Sequence, residues 1–139
     1  MTASGEGWAQ VHIDELGSGP GIRKVRAAAG ITAFGMNVMV VPPRTQNRWH
    51  FHDTQQEVYF VHAGVLTLDL PEGPIKVPAG GVARVDAATP RRIANHAGEE
   101  LVLVALGGHD GYVGRDGNLT AEELAAVAAG GALGGLPLD

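Results

Sequence analysis

Apolar and polar positions along this chain fall into short runs of period two, cut at close intervals by glycine, proline and aspartate. Val65-Leu66-Thr67-Leu68-Asp69-Leu70 alternates most cleanly, the pattern of a strand with one buried face. Trp8 to Ile13 sets Trp8, Gln10 and His12 against Ala9, Val11 and Ile13, and predicts a first strand after a frayed, small and polar stretch over 1–7. Residues 14–21 read as a glycine-rich loop. Residues 22–29, basic and then alanine-rich, suit either a helix or an edge strand, and are read as strand. Ile31 to Val41 is β-branched and apolar, broken at Gly35 and stopped by Pro42-Pro43, since proline cannot donate to a ladder. After a loop over 44–47, strands are predicted over 48–52, 57–62, 65–70, 75–77, 82–85, 91–96 and 101–106. Short strands at even spacing with turns between them make a sandwich or barrel, here over residues 8–115.

The remainder, 116–139, follows another pattern. Thr120-Ala121-Glu122-Glu123 reads as a capping box. The alanine-rich run over 121–129 that follows should be helical until Gly130-Gly131 stops it. The helix is read as a structural appendage, and the last residues as a disordered tail.

Composition narrows the functional classes. A length of 139 residues fits one domain. The 21 glycines follow no G-x-y period, so they read as turns. A formal net charge of −5 with no broad basic patch argues against nucleic-acid binding. Arg23, Lys24 and Arg26 are read as a solvated strand face. With no cysteine, disulfides, thiolate catalysis and zinc–thiolate sites are excluded. No apolar stretch approaches a bilayer span, and the first residues lack the regions of a signal peptide, so no membrane partner and a cytoplasmic location are expected.

The chemistry concentrates in Arg48-Trp49-His50-Phe51-His52-Asp53-Thr54-Gln55-Gln56-Glu57. Side chains alternate on a strand, so His50 and His52 share one face while Trp49 and Phe51 take the other. Asp53 to Gln56 is a polar turn, after which Glu57 opens the next strand and can meet both imidazoles. Two imidazoles and a carboxylate on one wall are the ingredients of a facial metal site with open positions. An isolated pair of histidines would read as a polar strand end; Glu57, and Gly64 beyond it, favour the site. Tyr59 and Val61 share the face of Glu57 and should line the cavity. Val58, Phe60 and His62 face away, with Trp49 and Phe51, so the N-terminal segment or a second subunit must cover that side, and a homodimer is expected. His12, His96 and His109 read as surface histidines, and no partner is evident for His12.

These residues resemble the cupins, small jelly-roll or double-stranded β-helix barrels, and more narrowly the small single-domain cupin-2 type of uncertain function. The family's first motif, G-x5-H-x-H-x(3,4)-E-x6-G, is matched at His50, His52, Glu57 and Gly64. Its leading glycine falls on Arg44. The second motif, G-x5-P-x-G-x2-H-x3-N, laid on Gly80, keeps Asn95 but puts Asp86 at the proline, Ala88 at the second glycine and Arg91 at the histidine. The likeness spans about residues 30 to 107, with Gly111 to Gly117 trailing. It implies an all-β cupin barrel with a short C-terminal helix, and a divalent Fe, Mn, Ni, Co or Zn ion on His50, His52 and Glu57. In metal-binding cupins the second-motif histidine is the fourth ligand, and an arginine has no acceptor with which to replace it.

Three readings of Arg91 follow. It pairs with Glu57 and replaces the metal, it stands beside a metal and binds an anionic substrate through its fork, or it points outward because the register is off by one. The first two are preferred. The functions implied are a metal-dependent enzyme of the oxygenase or isomerase class, with Arg91 orienting a small anion and Tyr59 as proton donor or hydrogen-bond guide; a non-catalytic ligand-binding or sensor barrel, with Arg91 on Glu57 and no metal; or a scaffold with a relict site.

Overall fold

The computed structural model describes residues 2–138. It is a mostly β fold of short antiparallel strands with a short C-terminal helix. The chain opens on β1 (Ala3–Gly5) and β2 (Trp8–Gln10), a hairpin in which Ala3 faces Gln10 and Gly5 faces Trp8. The stretch expected to be frayed is thus paired from Ala3 to Gly5, because Gly7 takes the left-handed conformation (φ 80°) that so tight a return requires. The predicted first strand ends at Gln10. Beyond it His12 accepts from the Asp14 amide at 3.2 Å and caps a 3-10 turn over Ile13–Glu15, so His12 has the local partner that the sequence did not show.

The ambiguous 22–29 segment splits. β3 (Gly21–Arg23) is a strand, and Val25–Ala29 forms a five-residue helix, α1, closed by Gly30 at φ 70°. The strand reading fails past Arg23, where three alanines favour helix. Arg23 is not solvated either: it is 7% exposed and its guanidinium donates to Gly19 O at 2.6 Å.

The strands that follow are β4 (Gly35–Val41), β5 (Thr45–Gln46), β6 (His50–His52), β7 (Gln56–Ala63), β8 (Val65–Leu70), β9 (Gly73–Pro78), β10 (Val82–Val85), β11 (Arg92–Asn95) and β12 (Leu101–Gly108). Last come β13 (Gly117–Leu119), α2 (Ala121–Ala128) and β14 (Leu136–Pro137). One five-stranded sheet runs β10-β7-β12-β4-β3 and a second runs β14-β5-β11-β8-β9. Their inner faces meet in one core, with Val41, Tyr59, Val61, Leu101 and Leu103 from the first sheet against Leu66, Leu68, Val77 and Ile93 from the second. β6 and β13 pair separately. Among the described residues no helix is long and apolar enough to cross a membrane.

The motif glycine Gly64 joins β7 to β8 at φ 80°, and a Cβ there would stand 2.5 Å from Glu100 O, so only glycine fits. Arg44, at the family's leading glycine, sits at φ 56°; the backbone keeps the left-handed shape that glycine adopts freely. Asn95 is fully buried and donates to Val41 O and Glu99 O at 3.1 and 2.8 Å, a tie between strand ends.

The tail departs from expectation twice. Thr120 stands at the N-cap without a side-chain cap, and the Glu123 carboxylate does not return to it but reaches the Trp49 amide at 2.7 Å and Arg48 Nη1 at 3.2 Å. And Leu136 and Pro137, in the stretch expected to be disordered, pair with Gln46 and Thr45, which were themselves read as loop. This C-terminal part meets the Trp49 side of β6, where the N-terminal segment or a second subunit was expected.

Candidate metal centre

β6 and β7 carry the cluster. His50 and His52 project to one side of β6, as alternation requires, and the turn over 53–55 returns the chain so that Glu57 faces them from β7. Glu57 Oε1 lies 3.1 Å from His52 Nε2 and 3.9 Å from His50 Nε2. One ligand atom from each of His50, His52 and Glu57 falls within 4.8 Å of the others, so the cluster could hold a metal ion. His52 is 8% exposed, while His50 keeps a side exposed to solvent.

The same Oε1 accepts from the Tyr59 hydroxyl at 2.5 Å. Burial pushes the Tyr59 phenol well above its usual range and the Glu57 charge pushes it further, so it stays protonated. Burial alone would raise the Glu57 carboxyl; the two imidazoles and the phenol around it more than reverse that and hold it well below the usual carboxylate range.

Arg91 points inward and is 0% exposed, while its neighbour Arg92 turns outward to Asp69 at 2.7 Å and over the Trp49 ring at 5.2 Å. Arg91 donates through Nη1 to Ala87 O at 3.2 Å and through Nη2 to Asp86 O and Val85 O at 3.3 and 3.5 Å. Nη2 is 3.8 Å from Glu57 Oε1, a loose ion pair, and Nε has no partner. Most of the fork is therefore held by the loop before β11.

Three features bear on whether these residues fit a metal. His52 Nε2 is buried 3.1 Å from Glu57 Oε1 without hydrogen-bond geometry to it, so its lone pair could be turned to a cation shared with that carboxylate. Its other nitrogen, Nδ1, lies 3.0 Å from the Gln55 amide and 3.5 Å from the Asp116 carboxylate. His50 Nδ1 lies 3.3 Å from Arg48 O. Arg48 O behind His50 and the Asp116 carboxylate behind His52 are acceptors for an Nδ1–H, the outer support that leaves Nε2 free to ligate; the Gln55 group nearest His52 Nδ1 is its NH2. The donor set of two imidazoles and a carboxylate suits Fe, Mn, Ni, Co or Zn, and the three residues fit such an ion.

Asp116 is the residue that sequence reasoning missed. It is 6% exposed and comes from the segment beyond β12. Its carboxylate accepts from the Thr54 amide at 3.1 Å, the Thr54 hydroxyl at 2.9 Å and the Gln55 amide at 2.8 Å, so it builds the turn that brings β7 back toward β6. Burial acts to raise its pKa, but these hydrogen bonds outweigh it and the carboxyl lies below its ordinary value. Gly107 makes room for Gln55 beneath His52, since a Cβ there would stand 3.0 Å from the Gln55 amide.

The profile of the Cupin_2 family, a cupin domain, matches residues 37–107. No curated protein matches the sequence. Among solved structures, the chain is similar to a sugar phosphate isomerase of the cupin superfamily from Silicibacter pomeroyi, at 19% identity and TM-score 0.64, over 72% of this chain and 75% of that one. It is similar to a conserved protein with a double-stranded β-helix domain from Klebsiella pneumoniae, at 14% identity and TM-score 0.63, over 79% and 89%. It is also similar to the DMSP lyase DddQ from Ruegeria pomeroyi, at 18% identity and TM-score 0.56, over 63% of this chain and 43% of that one. At these identities the likeness is one of fold.

Proposed function

The chain belongs to the cupin family, and on that premise we propose that it holds a divalent metal ion on His50, His52 and Glu57 and uses it to bind a small anionic molecule, as an enzyme of the isomerase or oxygenase class. The observation that carries this reading is the convergence of one ligand atom each from His50, His52 and Glu57 within 4.8 Å, with His52 Nε2 buried 3.1 Å from the ionised Glu57 and the Asp116 carboxylate behind its Nδ1. Ligation through Nε2 requires the Gln55 amide to turn by 180° from the placement that sets its NH2 against His52 Nδ1, so that Nδ1–H can donate to its oxygen or to Asp116. The name of one structural neighbour, a sugar phosphate isomerase, is that of an enzyme acting on a small anion, in keeping with the class proposed.

A metal at this position would act as a Lewis acid on an oxygen of the bound molecule. The chain's own residues have separate tasks. Glu57 brings the negative charge that a divalent ion needs. Tyr59 holds one proton against Oε1 and so fixes the carboxylate's orientation. Arg91 stands where a fourth ligand would, leaving three protein ligands and open positions for the anion, and its charge lies behind Glu57.

Metal analysis of protein purified without chelator tests the reading. About one equivalent of metal is expected in the wild type and far less in His50→Ala. A metal-free wild type, with an anion stabilising the fold against heat, would sink it in favour of a non-catalytic barrel in which Arg91 and Tyr59 alone compensate Glu57.

We also propose that the chain pairs with a second copy through the outer face of β7 and β10. Phe60 and Val82 are cross-strand neighbours there, 37% and 62% exposed, and a two-fold contact would set this apolar pair against the same pair of a second copy. Light scattering after size exclusion is expected to give a dimer for the wild type and a monomer for Phe60→Glu; a monomeric wild type removes the proposal.

A further inference from the structure

A cleft of about 540 Å³ opens between the β3–β4 edge of one sheet and the β5 edge of the other, and His50 is the one member of the metal cluster on its wall. That volume falls in the range of small-molecule sites. Ile22, Met39, Val41, Leu119 and Leu133 supply its apolar walls. Ile22, Leu119 and Leu133 lie outside the 37–107 span of the family match, so this wall is a feature of the chain's own flanking segments. Among the described residues the lining holds no carboxylate and a single cation, Arg48. That cation is 7% exposed and already engaged, with Nη1 on Glu123 Oε1 at 3.2 Å and Nε on Ala132 O at 2.5 Å. Nor does Arg91 line the cleft.

Thr45 and Asn47 also line it, but the Thr45 hydroxyl donates to Pro42 O and the Asn47 side-chain carbonyl accepts from the Gly135 amide, so a ligand seated here meets no free charge along its body and finds its metal-side anchor at the His50 end. We infer that the cleft takes a molecule with a predominantly apolar body and one oxygen-donor head group, the head at the His50–His52–Glu57 cluster and the body along Ile22, Met39, Leu119 and Leu133. This rests on the metal reading for the head group only; the body's site stands on the cleft itself. It narrows the ligand from a small anion in general to one whose charge sits at one end.

The test compares two hydroxamates on zinc-loaded protein by calorimetric titration. Acetohydroxamate carries the head alone, and octanohydroxamate adds six methylenes. Each methylene fully buried contributes about fourfold in affinity, so about 60-fold tighter binding of the longer probe is expected once three are buried. Ile22→Asp and Leu133→Asp, both at exposed rim positions (54% and 72% exposed) where folding is not at risk, should each cut that ratio about tenfold. A wild-type ratio near one overturns the inference, and so does a ratio that neither variant moves. If the protein takes up no zinc, the metal reading fails by itself; 8-anilinonaphthalene-1-sulfonate fluorescence then probes the cleft, a loss in Ile22→Asp and Leu133→Asp upholding the apolar site and an unchanged signal removing it.

Discussion

Arg91→Ala is expected to lose about 3–5 kcal/mol of folding stability while binding divalent metal about tenfold more tightly. The guanidinium is fully buried and donates to the carbonyls of Val85, Asp86 and Ala87. Truncation takes one donor from each of those carbonyls, of which Ala87 O and Asp86 O still accept from the His52 and Thr89 amides; the larger cost is the cavity it opens among core side chains and the loss of the buried charge beside Glu57. It also removes a cation 3.8 Å from Glu57 Oε1, one that opposes any divalent ion on the same carboxylate. Stability and metal affinity should thus move in opposite directions. Urea unfolding in chelator reads the first, and zinc titration under native conditions reads the second. A variant that loses stability but binds metal no better would mean that the Arg91 charge is not felt at the cluster. One that keeps its stability would mean that the His52 and Thr89 amides and entering water suffice for these carbonyls.

The contrast between Arg91 and the histidines bears on what a sequence exposes. His50, His52, Glu57 and Gly64 lie within fifteen residues and act through strand alternation and one turn, both local properties. Their convergence could be read directly, and so could the inward turn of Arg91, since Ile93 and Asn95 share its face. What Arg91 touches could not be read: its partners are backbone carbonyls, which carry no sequence signal. Asp116 was hidden differently. It sits in a glycine-rich stretch with no periodicity, and it reaches Thr54 and Gln55 only because β13 pairs with β6. The Thr120–Glu123 capping pattern was a true local signal overridden by tertiary structure, once the Trp49 amide and Arg48 offered Glu123 better partners. The strand at Leu136–Pro137 had no alternation to announce it, and exists because β5 presents an open edge.

Asp116→Asn should then show how far the site depends on that missed carboxylate. Three donors converge on it: the amides of Thr54 and Gln55 and the Thr54 hydroxyl. An asparagine oxygen in the place of Oδ2 keeps both amides, at 3.1 and 2.8 Å in the wild type, and turns its NH2 to the Thr54 hydroxyl; what is lost is the charge that strengthens all three bonds, at a cost of about 1–3 kcal/mol. The dependence on pH has a definite sign. The folded carboxyl titrates below its ordinary value, so its contribution is complete above the unfolded pKa of about 3.9 and is lost as pH falls through the lower folded value. The gap between wild type and Asp116→Asn should therefore be full at pH 7 and narrow below about pH 4. The variant also withdraws the charge 3.5 Å from His52 Nδ1, which favours the tautomer with Nε2 free. Loss of such a support costs about 10–100-fold in metal affinity. Asp116→Glu is not expected to restore it, because the longer side chain cannot keep both turn amides and the ring. Zinc affinity unchanged in Asp116→Asn, alongside the loss of stability, would confine Asp116 to building the turn.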